Sequence, residues 1–410
     1  MKRLILLGMV AMLCMLCKPI INLPTITTNL VTSITETSAI GGGNAISSGN
    51  GTISAFGICY SPANNNIKNL PTLNDKKTVD GSGIRSYTSS LTGLAASTTY
   101  YVRAYATNEA GTAYGSVVTF TTSGFSTTIS SSTTNNLYSV YFTDANNGWA
   151  VGNWAAGNAN ILYTSNGGTN WVAQANPATN QLNDVYFINS SIGWAVGNDN
   201  ILYTSNGGTV WVTQTSGTSS NLFGVYFASA TTGYAVGTNG TILKTSNAGN
   251  IWAARSSNTA YNLFSVYFTN ATTGYAVGAN GTFLATSDSG HTWIPKIIGT
   301  NDINDLYSIY FTDVNNGWVV GNNGTILYTS NGGTTWTTQT SNTTNFLRDV
   351  YFTNTTNGYA VGGSGTLLTT SNGGNTWTVQ TINTNKDLHG VWVTPQHGYA
   401  VGNVGTILQF

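Results

Sequence analysis

The chain has 410 residues, of which 6% are charged, and its 13 basic residues balance 13 acidic ones. An ordinary soluble protein carries about 25% charged residues, so other polar groups must cover this surface, and the charge balance provides no electrostatic funnel for nucleic acid or an anionic membrane. Plentiful Asn, Thr and Ser together with 48 Gly exclude a scaffold of long helices, because these residues favour turns, caps and strands; the chain reads as all β.

The N-terminus pairs Lys2 and Arg3 with an apolar run from Leu4 to Leu16, the shape of a secretory signal peptide over residues 1–20 and too short to span a bilayer. A secreted or cell-surface location is therefore expected. Cys14 and Cys17 close the run, so a lipid anchor on Cys17 or Cys14 is the alternative, although Leu13 and Leu16 stand where that signal wants a small residue. Cys59 is then the lone cysteine of the mature chain; no internal disulfide is available, and a small buried apolar side chain is its expected role.

Residues 22–123 alternate apolar and polar positions in short runs broken by Gly, Asn and Ser, as in Ile53 to Tyr60 and Val117 to Thr122. Short strands with tight turns predict a β-sandwich. The stretch from Leu94 through Tyr100, Val102, Ala104 and Ala106 to Gly111 resembles the second half of the fibronectin type III signature. That resemblance implies an immunoglobulin-like sandwich acting as a spacer, with the Tyr100 hydroxyl tying its strand to an upstream loop. No Trp stands near Ile40, where that family normally packs one.

After Gly124 the pattern becomes a repeat. Leu-x-x-Val-Tyr-Phe followed by Gly-Trp/Tyr-Ala-Val-Gly recurs, with local variations, from Leu137, Leu182, Leu222, Leu263, Leu306, Leu347 and Leu388, at intervals of 40 to 45 residues. This period suits a four-stranded propeller blade, so residues 125–410 are expected to form a seven-bladed β-propeller. In the fifth unit the strands are predicted at Leu306 to Thr312, Gly317 to Gly321, Thr325 to Ser330 and Trp336 to Thr340. Seven copies of the first three strands but six Trp-bearing fourth strands leave one blade incomplete. Strand 125–130 is expected to complete the last blade, with Phe125 in the Trp position, because an unfilled place would leave two open edges.

The six fourth-strand hairpins carry Asn166 and Trp171, Asn206 and Trp211, Asn247 and Trp252, Asp288 and Trp293, Asn331 and Trp336, and Asn372 and Trp377. This pattern, Thr-x-Asp/Asn-x-Gly-x-x-Trp, resembles the Asp-box or BNR repeat, in which the Asx side chain accepts backbone N–H bonds. The single ring of seven Gly-Trp/Tyr-Ala-Val-Gly repeats is similar to the photosystem II assembly factor family of seven-bladed propellers. That resemblance implies the fold and a habit of binding proteins. Family members are thought to use a basic surface, whereas Arg255 and Arg348 are the only arginines after residue 125.

A sialidase needs three converging arginines and a Tyr/Glu pair, and no Glu follows Glu109, so that chemistry is excluded. Asp184 and Asp349 occupy the same repeat position near the start of the first strand; as a carboxylate pair roughly 6.5–9.5 Å apart they would suit an inverting glycoside hydrolase. A polar residue at a strand start, as Ser139, Ser265 and Ser308 provide elsewhere, is the alternative. Asp144-Ala-Asn-Asn-Gly148 and Asp313-Val-Asn-Asn-Gly317 begin like calcium loops but lack the distal acid, and turns explain them. His291, His389 and His397 share no metal-ligand spacing. No metal and no cofactor are expected.

Within the otherwise nearly uniform first strand, the repeats differ just after the first Leu, where Tyr138, Asn183, Phe223, Phe264, Tyr307, Arg348 and His389 stand. If the first strands begin at the channel mouth, these side chains form a rim able to stack on a sugar or grip a peptide; capping the channel against water is their other role. The sequence thus points to a non-enzymatic secreted or cell-surface binding and adhesion protein for a protein or glycan partner. A glycoside hydrolase and a photosystem-type assembly chaperone are the alternatives, with no nucleic-acid partner and no transmembrane helix in the mature chain.

Overall fold

A computed structural model describes residues 20–63, 70–96, 98–154, 161–198, 200–298 and 304–410. The expected signal peptide, with Cys14 and Cys17, lies outside these residues except for residue 20. The chain divides into two compact units at Phe125/Ser126, and no described helix is long and apolar enough to cross a membrane.

In the first unit, strands Thr25–Thr28, Ser38–Ser47 and Ser86–Thr92 form one antiparallel sheet, while Lys76–Lys77, Ala55–Pro62, Thr99–Asn108, Gly111–Tyr114 and Val118–Thr121 form another. Alternation along Ser86–Thr92 puts Tyr87, Ser89 and Leu91 inside, as a half-buried strand requires. The two sheets share one core in which Phe56 stacks on Tyr87 at 4.3 Å and Tyr100 on Phe120 at 5.6 Å. Ala95 N–H donates to Tyr100 Oη at 2.9 Å, pinning the strand to the loop before it. Cys59 is buried without a disulfide, and desolvation pushes its thiol up to about 11, which leaves it an unreactive packing group.

Among the described residues, the second unit contains seven four-stranded antiparallel sheets. Their first strands, Leu137–Phe142, Leu182–Phe187, Leu222–Phe227, Leu263–Phe268, Leu306–Phe311, Leu347–Phe352 and Leu388–Val393, each lie against the next, and the seventh lies against the first. The result is a closed propeller. All but the sixth of the second strands are buried at every position, as expected of strands covered on both faces. In the fifth sheet the fourth strand is only Thr337–Thr338, shorter than the predicted Trp336 to Thr340: the box turn takes up the residues before it and the chain leaves the sheet directly after it.

The fourth strand of the last sheet comes from before the first sheet. Thr127–Ile129 pairs antiparallel with Ile407–Gln409. The register sets Thr127 where Val172 stands in the first sheet, so Ser126, not Phe125, holds the Trp-equivalent place. The cause is one residue of spacing, since Trp precedes the next Leu by 11 in most repeats and Ser126 does the same. Phe410 fills another gap: it lies over Gly398 and 5.5 Å from Tyr359, as Phe352 lies over Gly358 and against Trp318, because Val393 replaces the usual Phe in that sheet.

Each seam between sheets is an aromatic chain. The aromatic residue of a second strand stacks on the Phe of the next first strand, as in Trp149–Phe187 at 3.7 Å and Tyr234–Phe268 at 3.9 Å. In every sheet but the last, that Phe meets its own sheet's box Trp edge-on, as in Phe187–Trp211 and Phe268–Trp293. Two hydrogen-bond schemes complete six of the seven seams. Where the second strand carries Trp149, Trp194 or Trp318, its indole donates to the next box carbonyl. Gln174, Gln214 or Gln339 then donates to the same carbonyl and accepts the indole N–H of Trp211, Trp252 or Trp377. Where the second strand carries Tyr234, Tyr275 or Tyr399, the phenol donates to the box carbonyl at 2.6–2.8 Å. Arg255, Lys296 and Ile129 then hold the Gln position, and the indoles of Trp293, Trp336 and Trp171 are buried without an acceptor.

These pairings predict a coupled effect. Tyr234→Trp and Arg255→Gln should each fail to stabilise alone, because Tyr234 fills the space over Gly290 that Gln214 fills over Gly249. Together they should restore the indole bond with a coupling energy of about 1 kcal/mol in a double-mutant cycle of unfolding. Additive effects would refute the scheme.

Candidate functional site

The box hairpins lie between third and fourth strands and use Asx chemistry for structure. Thr164 Oγ1 donates to Asn166 Oδ1, which accepts Asn170 N–H at 3.0 Å, and Gly168 N–H donates back to Thr164 Oγ1 at 2.9 Å. Asp288, the one acid among the six, accepts four bonds from Thr286, His291 and Thr292, which hold its carboxyl well below the usual range. Asp144 and Asp313 cap their own turns by accepting the N–H groups of Asn146 and Asn147, and of Asn315 and Asn316. Among the described residues no group of three or more His, Cys, Asp or Glu could hold a metal; His291 and His397 lie on separate turns.

The seven variable residues meet at the axis. Tyr138, Asn183, Phe223, Phe264, Tyr307, Arg348 and His389 all line one cavity of about 250 Å³, together with Gln181 and a floor of Ser139, Asp184, Ser265, Ser308 and Asp349. Their convergence follows from topology: each stands second in a first strand, and the first strands ring the axis.

Asp184 and Asp349 do not stand free as the hydrolase reading requires. Asp184 Oδ1 accepts Ser139 Oγ at 2.7 Å and Val185 N–H at 2.9 Å, and its Oδ2 accepts Val225 N–H at 2.9 Å. Asp349 repeats this with Ser308 Oγ at 2.7 Å, Val350 N–H and Val391 N–H. Each carboxylate therefore clamps three consecutive sheets. The floor position reads Ser139, Asp184, Gly224, then Ser265, then Ser308, Asp349, Gly390, so Ser-Asp-Gly occurs twice. The glycines are needed because a Cβ at Gly224 would come within 2.8 Å of Phe264 O, and at Gly390 within 3.1 Å of Tyr138 O. Reading this one position across all seven repeats would have revealed the clamp; the serines alone do not. Burial pushes the Asp184 carboxyl up to about 6 and that of Asp349 to about 7, against the lowering effect of their donors.

Below the floor lies a second chamber of about 310 Å³ lined by Tyr141, Tyr186, Tyr226, Tyr267, Tyr310, Tyr351 and Trp392. Successive rings of this hoop sit 4.1–5.5 Å apart around the full circle. Tyr186, Tyr226 and Tyr267 donate to the carbonyls of Phe227, Phe268 and Phe311 in the next sheet. The hoop went unnoticed in the sequence because Tyr in Val-Tyr-Phe is nearly invariant and reads as core.

Comparisons with known proteins agree with this architecture. The family model "Photosynthesis system II assembly factor YCF48" matches residues 118–216, 246–343 and 334–410. Among solved structures, YCF48 bound to a D1 peptide is similar over 70% of this chain and 94% of its own, at 20% identity and a TM-score of 0.58. YCF48 from Cyanidioschyzon merolae matches over 70% and 98%, at 21% identity and a TM-score of 0.57. An ancestral GH74 enzyme matches over 69% of this chain and 46% of its own, at 14% identity and a TM-score of 0.54, a likeness of fold alone. No curated protein sequence matches the chain.

Proposed function

Because the chain belongs to the photosystem II assembly factor YCF48 family, we propose that it acts without bond-breaking chemistry, as an assembly-type factor that holds a segment of another polypeptide at the axial rim. The observation that carries this reading is the convergence of the seven copies of the first strand's variable position on one cavity, over a floor whose acids are engaged as clamps. A structural neighbour of the family has been solved with a peptide bound, which supports a polypeptide ligand over a glycan. Surface adhesion, the expectation from the sequence, draws no support from the family match.

In the same reading the seven sheets are seven blades, the first unit is a fibronectin-like spacer, and the basic-apolar run at residues 2–16 directs export. The hydrolase alternative rests on Asp184 and Asp349, whose three accepted bonds each suit them to structure.

A photo-crosslinking residue at position 264 tests the rim. It should yield polypeptide adducts that are absent when the probe sits at position 355, in the turn beyond the opposite end of a first strand, and that disappear when Phe223→Asp is added. Equal adducts at both positions would sink the proposal.

A further inference from the structure

The rim residues are not equally available. Tyr138 Oη donates to Asn153 Oδ1, and its ring lies 5.2 Å from His389, whose Nε2 pairs with Asn403 Oδ1 at 2.7 Å. Asn183 donates to Asn221 Oδ1 and Leu222 O and accepts from Gln181. These three side chains are committed to the propeller's own loops.

The remaining arc is different. Phe223, Phe264 and Tyr307 stand in a continuous row with ring centres 5.4 and 5.3 Å apart. At its end the Arg348 guanidinium lies 4.2 Å over Tyr307 and 5.7 Å from Phe346. Among the described residues Arg348 has these ring contacts but no hydrogen bond and no carboxylate partner. A guanidinium seated over an aromatic ring and engaged in no hydrogen bond keeps its N–H donors free for a planar, two-oxygen anion. The aromatic row beside it offers apolar area and no free polar group apart from the Tyr307 hydroxyl, itself bonded to Asn322.

Shape narrows the ligand further. The cavity is small and floored by the Ser/Asp layer, so it takes an end of a chain better than a strand passing through. The floor acids repel an anion below the rim, which holds a ligand's carboxylate at the height of Arg348. We propose that the cavity receives the last residue of a polypeptide, with its terminal carboxylate on Arg348 and an apolar side chain against Phe223 and Phe264. This rests on the polypeptide-binding reading above and adds which part of the polypeptide is read.

The probes are fluorescein-labelled hexapeptides ending in Leu, Phe, Ser or Asp, each made as the free acid and as the carboxamide, titrated into the full chain by fluorescence anisotropy. Free acids ending in Leu or Phe should bind about tenfold or more tighter than their amides, the effect of one charge-assisted contact. Arg348→Gln should abolish that ratio, Arg348→Lys should retain part of it, and Phe264→Ser should remove the preference for Leu and Phe while keeping the acid/amide ratio. Unchanged thermal unfolding of these variants would establish that they are folded. Acid and amide binding alike, or an amide ending in Asp matching the Leu acid, overturns the terminal-residue inference. If no hexapeptide binds while position 264 still crosslinks to polypeptide, this inference falls and the broader proposal stands; if neither occurs, both fall.

Discussion

Trp318→Ala should destabilise the propeller by about 4 kcal/mol, in the range of large-to-small core truncations, and Trp318→Tyr should cost much less. Trp318 is fully buried, stacks 3.6 Å from Phe352 and 5.1 Å from Tyr328, and donates its indole N–H to Gly373 O. Alanine removes the stack, opens a cavity and leaves the box carbonyl to Gln339 alone. Tyrosine can reach that carbonyl, as Tyr234, Tyr275 and Tyr399 do in their seams. What it cannot do is share the space over Gly374 with Gln339, so Trp318→Tyr should improve when Gln339→Lys is added. Urea denaturation of the four proteins checks the order; equal losses for Ala and Tyr would show that the seams are not interchangeable.

A second large effect is a stability that falls as pH rises from 5 to 7.5. Asp184 and Asp349 release their protons near 3.8 when unfolded but near 6 and 7 when folded, because burial penalises the charged form. Between those values the folded state holds more protons than the unfolded one, so the contribution is complete below about pH 4 and is lost as pH passes through 6 and 7. At about 1.4 kcal/mol per unit of separation, the two acids together should remove about 4 kcal/mol between pH 5 and 7.5. His389, whose pKa burial lowers, works in the opposite direction below pH 6.5, and the depressed carboxyls of Asp144, Asp288 and Asp313 act only in stronger acid. In the Asp184→Asn/Asp349→Asn protein the fall should vanish, leaving at most the small rise from His389, although overall stability drops because each amide presents a donor to one backbone N–H. A slope that survives the double substitution would place its origin elsewhere.

The ring was legible in the sequence because each wedge repeats its own code: Val-Tyr-Phe, Gly-Trp/Tyr-Ala-Val-Gly and the box recur at a blade-sized period. The rim was legible for the converse reason, since a position that varies within a uniform strand is free of the packing that fixes its neighbours. What escaped was everything that depends on pairs of repeats. Trp149 with Gln174, or Tyr234 with Arg255, has meaning only across a seam, and Asp184 looked like a candidate acid until Ser139 and Val225 were seen on either side of it. The one-residue error at Phe125 has the same origin: Ser126 occupies a Trp place without resembling Trp.

The pairing of Thr127–Ile129 with Ile407–Gln409 has a consequence for biosynthesis. The first of these strands leaves the ribosome about 280 residues ahead of its partner, a wait on the order of 15–60 s at ordinary elongation speeds. Until Ile407–Gln409 has emerged, the nascent propeller is an open crescent with unsatisfied edges on its first and last wedges, and that one short pairing latches it shut.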